Sequence, residues 1–198
     1  MRALAICFLA IFGAACGEPF SADDAIDCSR SVTEPRRRLE ACSRELAAIG
    51  PNGGTLSSRG AAKEALRDWV GAQRDYEEAL ALAPELGGPL LGLGRVHLAQ
   101  GDLVSARRYL NRAIEENDSG IARDILGSYA LRQRDYAEAL SQYEDLLASQ
   151  TDSAIGFYGR GLARLGMGDE RGREDIALAR AGWDSVDTHF GEQGPAAP

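Results

Sequence analysis

Residues 60–84 read GAAKEALRDWVGAQRDYEEALALAP, and the pattern in that stretch returns three more times down the chain. The stretches ALRDW (65–69), AQGDL (99–103), RQRDY (132–136) and GMGDE (166–170) set Asp68, Asp102, Asp135 and Asp169 at separations of 34, 33 and 34 residues. Gly60, Gly94, Gly127 and Gly161 repeat the same three separations. Two unrelated residue types sharing one period mark an internal repeat, and a period of this length means stacked supersecondary units. Each Asp precedes an apolar-periodic run, where its carboxylate can cap the start of a helix. Each Gly falls midway along the preceding helix, where it costs about 1 kcal/mol relative to Ala. Close approach of the paired helix is the gain that offsets this cost. After each cap comes a stripe at i, i+4, i+7: Ala72, Tyr76, Ala79; then Ala106, Leu110, Ala113; then Ala139, Tyr143, Leu146. That spacing is the buried side of an amphipathic helix. In the fourth unit strict spacing would bury Arg173 and Arg180. A one-residue deletion after Asp169 brings Gly172, Ile176 and Ala179 into the stripe instead. The deletion is preferred, because unpaired buried arginines are very costly.

The repeated unit resembles the tetratricopeptide repeat, a helix–turn–helix of 34 residues, over about residues 53–187. That resemblance implies an all-α fold, a right-handed superhelix of antiparallel helix pairs. The four repeats fall at about 53–86, 87–119, 120–153 and 154–187. Pro84 closes the first as in the family, whereas Asp118 and Thr151 stand at the equivalent positions of the next two. Arrays of this family present a concave groove lined by the first helix of each pair, which commonly binds extended peptides or helices. Mapped onto this chain, the lining is Leu91, Arg95 and Leu98 in the second repeat, Asp124, Ser128 and Leu131 in the third, and Ile155, Tyr158, Leu162 and Leu165 in the fourth. The basic set of chaperone-binding members is not evident. Two readings of this face stand open: a groove free for a partner, or one already covered by Val186 and Phe190.

The ends differ from the repeats. Residues 1–15 carry Arg2 and then an uncharged run, ALAICFLAIFGAA, too short to span a bilayer, which needs about 20 residues. This is the layout of a secretory signal peptide. Gly13-Ala14-Ala15-Cys16 resembles the lipobox of bacterial lipoproteins, with Gly13 where that family usually has Leu. The resemblance makes Cys16 the lipidated residue and the membrane contact a lipid anchor. Gly17, where inner-membrane lipoproteins often carry Asp, points to the outer membrane. Cleavage by an ordinary signal peptidase, leaving a soluble periplasmic or secreted protein, is the alternative. Export leaves Cys16, Cys28 and Cys42. With Cys16 lipidated, Cys28 and Cys42 form an even pair and are expected as a disulfide in an oxidising compartment; otherwise they are two small buried thiols. Residues 16–52 read as a leader and a capping half-repeat. Its helix spans about 34–49, with Thr33 as cap, Pro35 in the first turn and an apolar face of Leu39, Cys42 and Leu46. It resembles the second helix of a repeat whose first helix is missing. Residues 188–198 read as a C-terminal cap and tail.

Composition narrows the function. The 198 residues hold 22 Lys plus Arg against 30 Asp plus Glu, a net charge of −8, with Lys63 the one lysine. Such a chain lacks the basic face of a nucleic-acid binder. His97 and His189 stand far apart, and no CxxC occurs, so neither a metal site nor a Cys/His catalytic pair is expected. Gly92-x-Gly94 and Gly159-x-Gly161 sit inside helices rather than after strands, as helix-contact glycines and not a phosphate loop. His97 reads as a core or interface histidine and His189 as a solvated one. The run Arg36-Arg37-Arg38 reads as a solvated helix face. No catalytic residue and no cofactor is expected. The chain reads as a non-enzymatic scaffold or adaptor of the bacterial cell envelope, binding a protein or peptide partner. The alternatives are a self-associating structural protein, or an accessory to a cell-wall enzyme.

Overall fold

The computed structural model describes residues 20–117 and 119–191. Residues 1–19, with the export segment and Cys16, and the tail from 192 lie outside the described residues. The described chain forms helices joined by turns. Four antiparallel pairs build the array: α3 (Gly53–Ala65) with α4 (Trp69–Leu82), α5 (Gly87–Gln100) with α6 (Leu103–Asn117), α7 (Gly120–Arg132) with α8 (Tyr136–Ser149), and α9 (Ala154–Gly166) with α10 (Gly172–Gly182). They are preceded by α1 (Ala22–Ser29) and α2 (Pro35–Ile49) and followed by α11 (Val186–Gly191). The first helices also touch one another in order, α3 to α5 to α7 to α9, so they form the inner row of the array.

The turns inside the pairs share one construction. Asp68, Asp102 and Asp135 accept from the amides of Gly71, Ser105 and Glu138 at 2.9, 3.1 and 3.2 Å, capping α4, α6 and α8. The residue before each Asp is left-handed: Arg67 (φ 61°), Gly101 (φ 79°), Arg134 (φ 60°) and Gly168 (φ 82°). Each Asp amide then reaches back to a carbonyl of the helix just ended, at 2.9 Å in all four turns. This is the Schellman closure of a helix C-terminus. The fourth turn departs after that point. Asp169 accepts from the Arg171 amide and its guanidinium, and α10 starts at Gly172 without a side-chain cap. The expected deletion is what the structure shows: Gly172 and Ala179 are buried, Ile176 is half-buried, and Arg173 and Arg180 face solvent.

The helix-contact glycines follow from the stripe opposite them. A Cβ on Gly60 would lie 2.8 Å from the Tyr76 ring, and one on Gly92 only 2.3 Å from it. Tyr143 is held the same way between Gly127 and Gly159, at 2.7 and 2.2 Å. The first glycine of each set belongs to the tyrosine's own pair and the second to the next pair. Each buried tyrosine therefore joins two repeats. Ala72, Tyr76, Ala79, Ala106, Leu110, Ala113, Ala139, Tyr143 and Leu146 are all buried, as the stripe requires.

The N-terminal segment corrects three expectations. The cap of α2 is Glu34, whose carboxylate accepts from the Arg37 amide at 3.0 Å, and not Thr33. The position of the missing first helix is taken by α1, started by a reciprocal bond between Ser21 and Asp24. Cys28 and Cys42 are disulfide-bonded between α1 and α2, with Cα atoms 4.8 Å apart. The arginine run is not simply solvated. Arg37 pairs with Asp27 at 2.6 Å and Arg38 donates to the Cys28 carbonyl at 3.0 Å, while Arg44 pairs with Asp24. The Arg44 guanidinium and the Ser21 cap hold the Asp24 carboxyl down at about 2.

Candidate functional site

The inner row gives a concave face with two differently furnished halves. The first half, between α3, α5 and α7, is an open cleft of about 370 Å³. Glu64 and Arg95 stand at one wall. The Arg95 guanidinium forks onto the Glu64 carboxylate at 2.5 and 3.0 Å, and the Tyr76 hydroxyl donates to the same carboxylate at 2.8 Å. Burial, and then the Glu64 charge, push the Tyr76 phenol far above its ordinary value, so it stays a donor. Arg95 keeps 41% of its side chain exposed, leaving one side of the guanidinium open to the cleft. The floor is apolar, from Leu98 on α5 and Ile125 on α7, both half-buried. Trp69, Tyr129 and Arg132 complete the lining, and the Arg132 guanidinium lies 6.0 Å from the Tyr129 ring centre.

The second half, on α7 and α9, is filled. α11 lies across it with Val186 and Phe190 buried at 0% and 2% exposure. The Phe190 ring stacks on Tyr158 with centres 4.8 Å apart and lies 6.1 Å from Tyr143. The Tyr158 hydroxyl donates to Asp187 at 2.5 Å, and Arg180 pairs with the same carboxylate at 2.9 Å. Those contacts hold the Asp187 carboxyl below its ordinary range, Arg180 contributing most. His189 sits 3.1 Å from Asp124 on α7, and this contact raises its pKa. Asp124 also accepts from the hydroxyls of Ser128 and Tyr143, each at 3.2 Å. A smaller hollow of about 310 Å³ lies between the starts of α7 and α9, beside Asp124, Leu146 and Ile155.

The residues expected to line the groove are thus divided. Arg95 and Leu98 line the open cleft, and Leu91 is half-buried against the Leu90–Leu110 cluster. Asp124, Ser128, Tyr158 and Leu162 are buried, with α11 on this face of the third and fourth pairs. Glu64, Trp69, Ile125, Tyr129 and Arg132 escaped the sequence mapping. The signal for three of them was present: Ile125, Tyr129 and Arg132 form their own i, i+4, i+7 stripe, one residue beyond the mapped positions. A cleft between two successive helices takes its walls from the facing edges of each, so one register cannot serve both sides. His97 matches its core reading, 8% exposed and stacked on Tyr109 with ring centres 5.4 Å apart. His189, read as solvated, is partly covered and paired. Among the described residues no three His, Cys, Asp or Glu side chains gather as metal ligands, and no helix is long and apolar enough to cross a membrane. The open cleft can seat an apolar side chain on its floor and an acceptor, carboxylate or carbonyl, against its arginines.

Two family models described as tetratricopeptide repeat match the chain, over residues 64–123 and 126–169, together just over half of it. No curated protein matches. Among solved structures, the chain is similar to YrrB, described as a TPR protein with an unusual peptide-binding site: 23% identity, 82% of this chain and 86% of that one covered, TM-score 0.57. It is also similar to MamA, with 18% identity, 78% and 91% covered and TM-score 0.63. A tetratricopeptide repeat protein from Parabacteroides merdae matches with 19% identity, 86% and 73% covered and TM-score 0.62. At these identities the likeness is one of fold.

Proposed function

The chain belongs to the tetratricopeptide repeat family, a fold of protein–protein interaction scaffolds, and from that premise we propose a non-enzymatic adaptor that holds a peptide segment of a partner protein in the cleft of α3, α5 and α7. The observation that carries this reading is the contrast along the concave face. One half is filled by the chain's own helix, and the other stays open with an apolar floor and exposed arginine. Exposed apolar surface framed by polar groups is characteristic of interaction sites, and Tyr, Trp and Arg are the types that dominate binding energy. The place of action is the bacterial cell envelope, with Cys16 as a lipid anchor to the outer membrane; this rests on the export pattern of residues 1–16.

Capture from envelope extract on the immobilised chain, followed by mass spectrometry, names the partner. Tyr129→Ala and Arg132→Ala should each then weaken that partner by about 1–2 kcal/mol with little change in melting temperature. Undiminished binding by the double variant would place the partner elsewhere on the molecule.

A further inference from the structure

We propose that the concave face of the third and fourth helix pairs is a second recognition site, for a partner helix carrying an apolar residue, an acid, a spacer, a base and an aromatic in succession, and that α11 is its displaceable resident. The proposal rests on the docking reading above and says what chemistry the filled half accepts.

The site's specificity is written in what α11 presents to it. Val186 and Phe190 supply the apolar anchors, one turn apart. Asp187 is gripped by the Tyr158 hydroxyl and Arg180. His189 meets one oxygen of Asp124, whose other oxygen accepts from Ser128 and Tyr143. The groove therefore offers an aromatic floor, a cationic and hydroxyl grip, and an anionic grip at fixed spacing. Helix-in-groove recognition is built this way, from anchors at one face of a short helix.

Several features make the resident detachable. α11 has six residues, and isolated helices shorter than about 12 residues are marginal in water, so its order comes from the groove. Its link to α10 is the three-residue stretch 183–185, which is exposed throughout. One of its two polar grips faces water: Arg180 and Asp187 are 56% and 44% exposed, whereas His189 and Asp124 are more covered. The surface beneath it, Tyr158 and Leu162, is too apolar to be left bare, so departure of α11 calls for a replacement of like chemistry. A tethered occupant competes at an effective concentration in the millimolar range, so an outside helix gains access when it binds more tightly or when the resident is weakened.

The test uses a labelled synthetic peptide of residues 183–191, WDSVDTHFG, and the full chain. Phe190→Ala in the chain weakens the resident, and should raise affinity for the peptide about tenfold or more over the unaltered chain. Adding Tyr158→Ala, or replacing the peptide's own phenylalanine by alanine, should abolish the gain. Hydrogen exchange on the unaltered chain should show α11 opening at least about 100-fold more often than α9. Protection of α11 equal to that of α9, loss of cooperative melting in Phe190→Ala, or a folded Phe190→Ala chain that ignores the peptide would each overturn the proposal. None of these readings needs the natural partner or the α3–α5–α7 cleft, so failure here is separable from failure of the adaptor reading.

Discussion

Arg67 and Arg134 occupy the same left-handed turn position as Gly101 and Gly168. The chain thus carries its own comparison. A side chain in that conformation costs about 1–2 kcal/mol, against about 0.5–1 kcal/mol for the extra freedom glycine loses on folding. Strain outweighs entropy. Arg67→Gly and Arg134→Gly should each raise stability by about 0.5–1 kcal/mol, and Gly101→Ala should lower it, as read by urea denaturation. Gly92 sets the opposite trap for a propensity argument. Alanine is better in a helix by about 1 kcal/mol, but its Cβ would fall 2.3 Å from the Tyr76 ring, which Gly60 already confines from the other side. Overpacking of this kind costs about 1–3 kcal/mol, so Gly92→Ala should melt lower than the unaltered chain. An equal or higher melting temperature would show that the ring can move aside. The caps and these glycines were legible in the sequence because each repeats with the period. The left-handed arginines carry no signal in their own side chains; the signal lay in Gly101 and Gly168, which stand at the same point of the repeat.

At the level of elements, the first and last helix pairs share a device. Asp75, 1% exposed, is held by Arg59 at 2.7 Å and Lys63 at 2.8 Å. In the last pair Asp175 is held by Arg160 at 2.6 Å and Arg164 at 2.8 Å. Removing one partner of a fully buried pair costs about 3–5 kcal/mol. The bases here retain some water, so Asp75→Asn and Asp175→Asn should each cost about 2–4 kcal/mol in thermal denaturation. A loss below about 0.5 kcal/mol would class them with surface pairs. The α1–α2 unit is secured by Cys28–Cys42. Intact mass with a thiol-blocking reagent should find neither thiol free, and reduction should lower stability by roughly 3 kcal/mol for a loop of this length.

Across the whole molecule, docking of α11 should depend on pH. His189 has its pKa raised by Asp124, so the stabilisation is fully present below the ordinary 6.5 and is lost as pH rises through the higher folded value. Asp187 has its pKa lowered by Arg180 and Tyr158, so its share is present above 3.8 and lost as pH falls through the lower folded value. α11 should sit most firmly between those limits and loosen on the alkaline side. The Trp183 ring lies 5.8 Å from His189 and reports it. In a Trp69→Phe background its emission should titrate with a midpoint above 6.5, and Asp124→Asn should bring that midpoint down. A midpoint unmoved by Asp124→Asn would detach the histidine from that carboxylate. For the anchor, the chain should label with a fatty-acid analogue at Cys16, and Cys16→Ser should abolish the label. A correctly cleaved but unlabelled chain would mean ordinary secretion.

The sequence by itself determined the array: the period, the capping aspartates, the close-approach glycines and the shortened fourth unit. These are relations within a repeat or between adjacent repeats, and their chemistry is local or periodic. Which part of the concave face is open was decided only in three dimensions. Asp124 and His189 are 65 residues apart, and Tyr158 and Asp187 are 29 apart across the last turn of the array. Nothing periodic links them. α11 comes to rest on α7 and α9 because the curvature of the inner row presents an apolar, two-signed surface there, and because the chain leaves α10 close enough to cover it. The same curvature brings the edge of α7 bearing Ile125 and Tyr129 to face Arg95 and Leu98 on α5, a pairing of surfaces that belongs to the stacked helices and to no single stretch of residues.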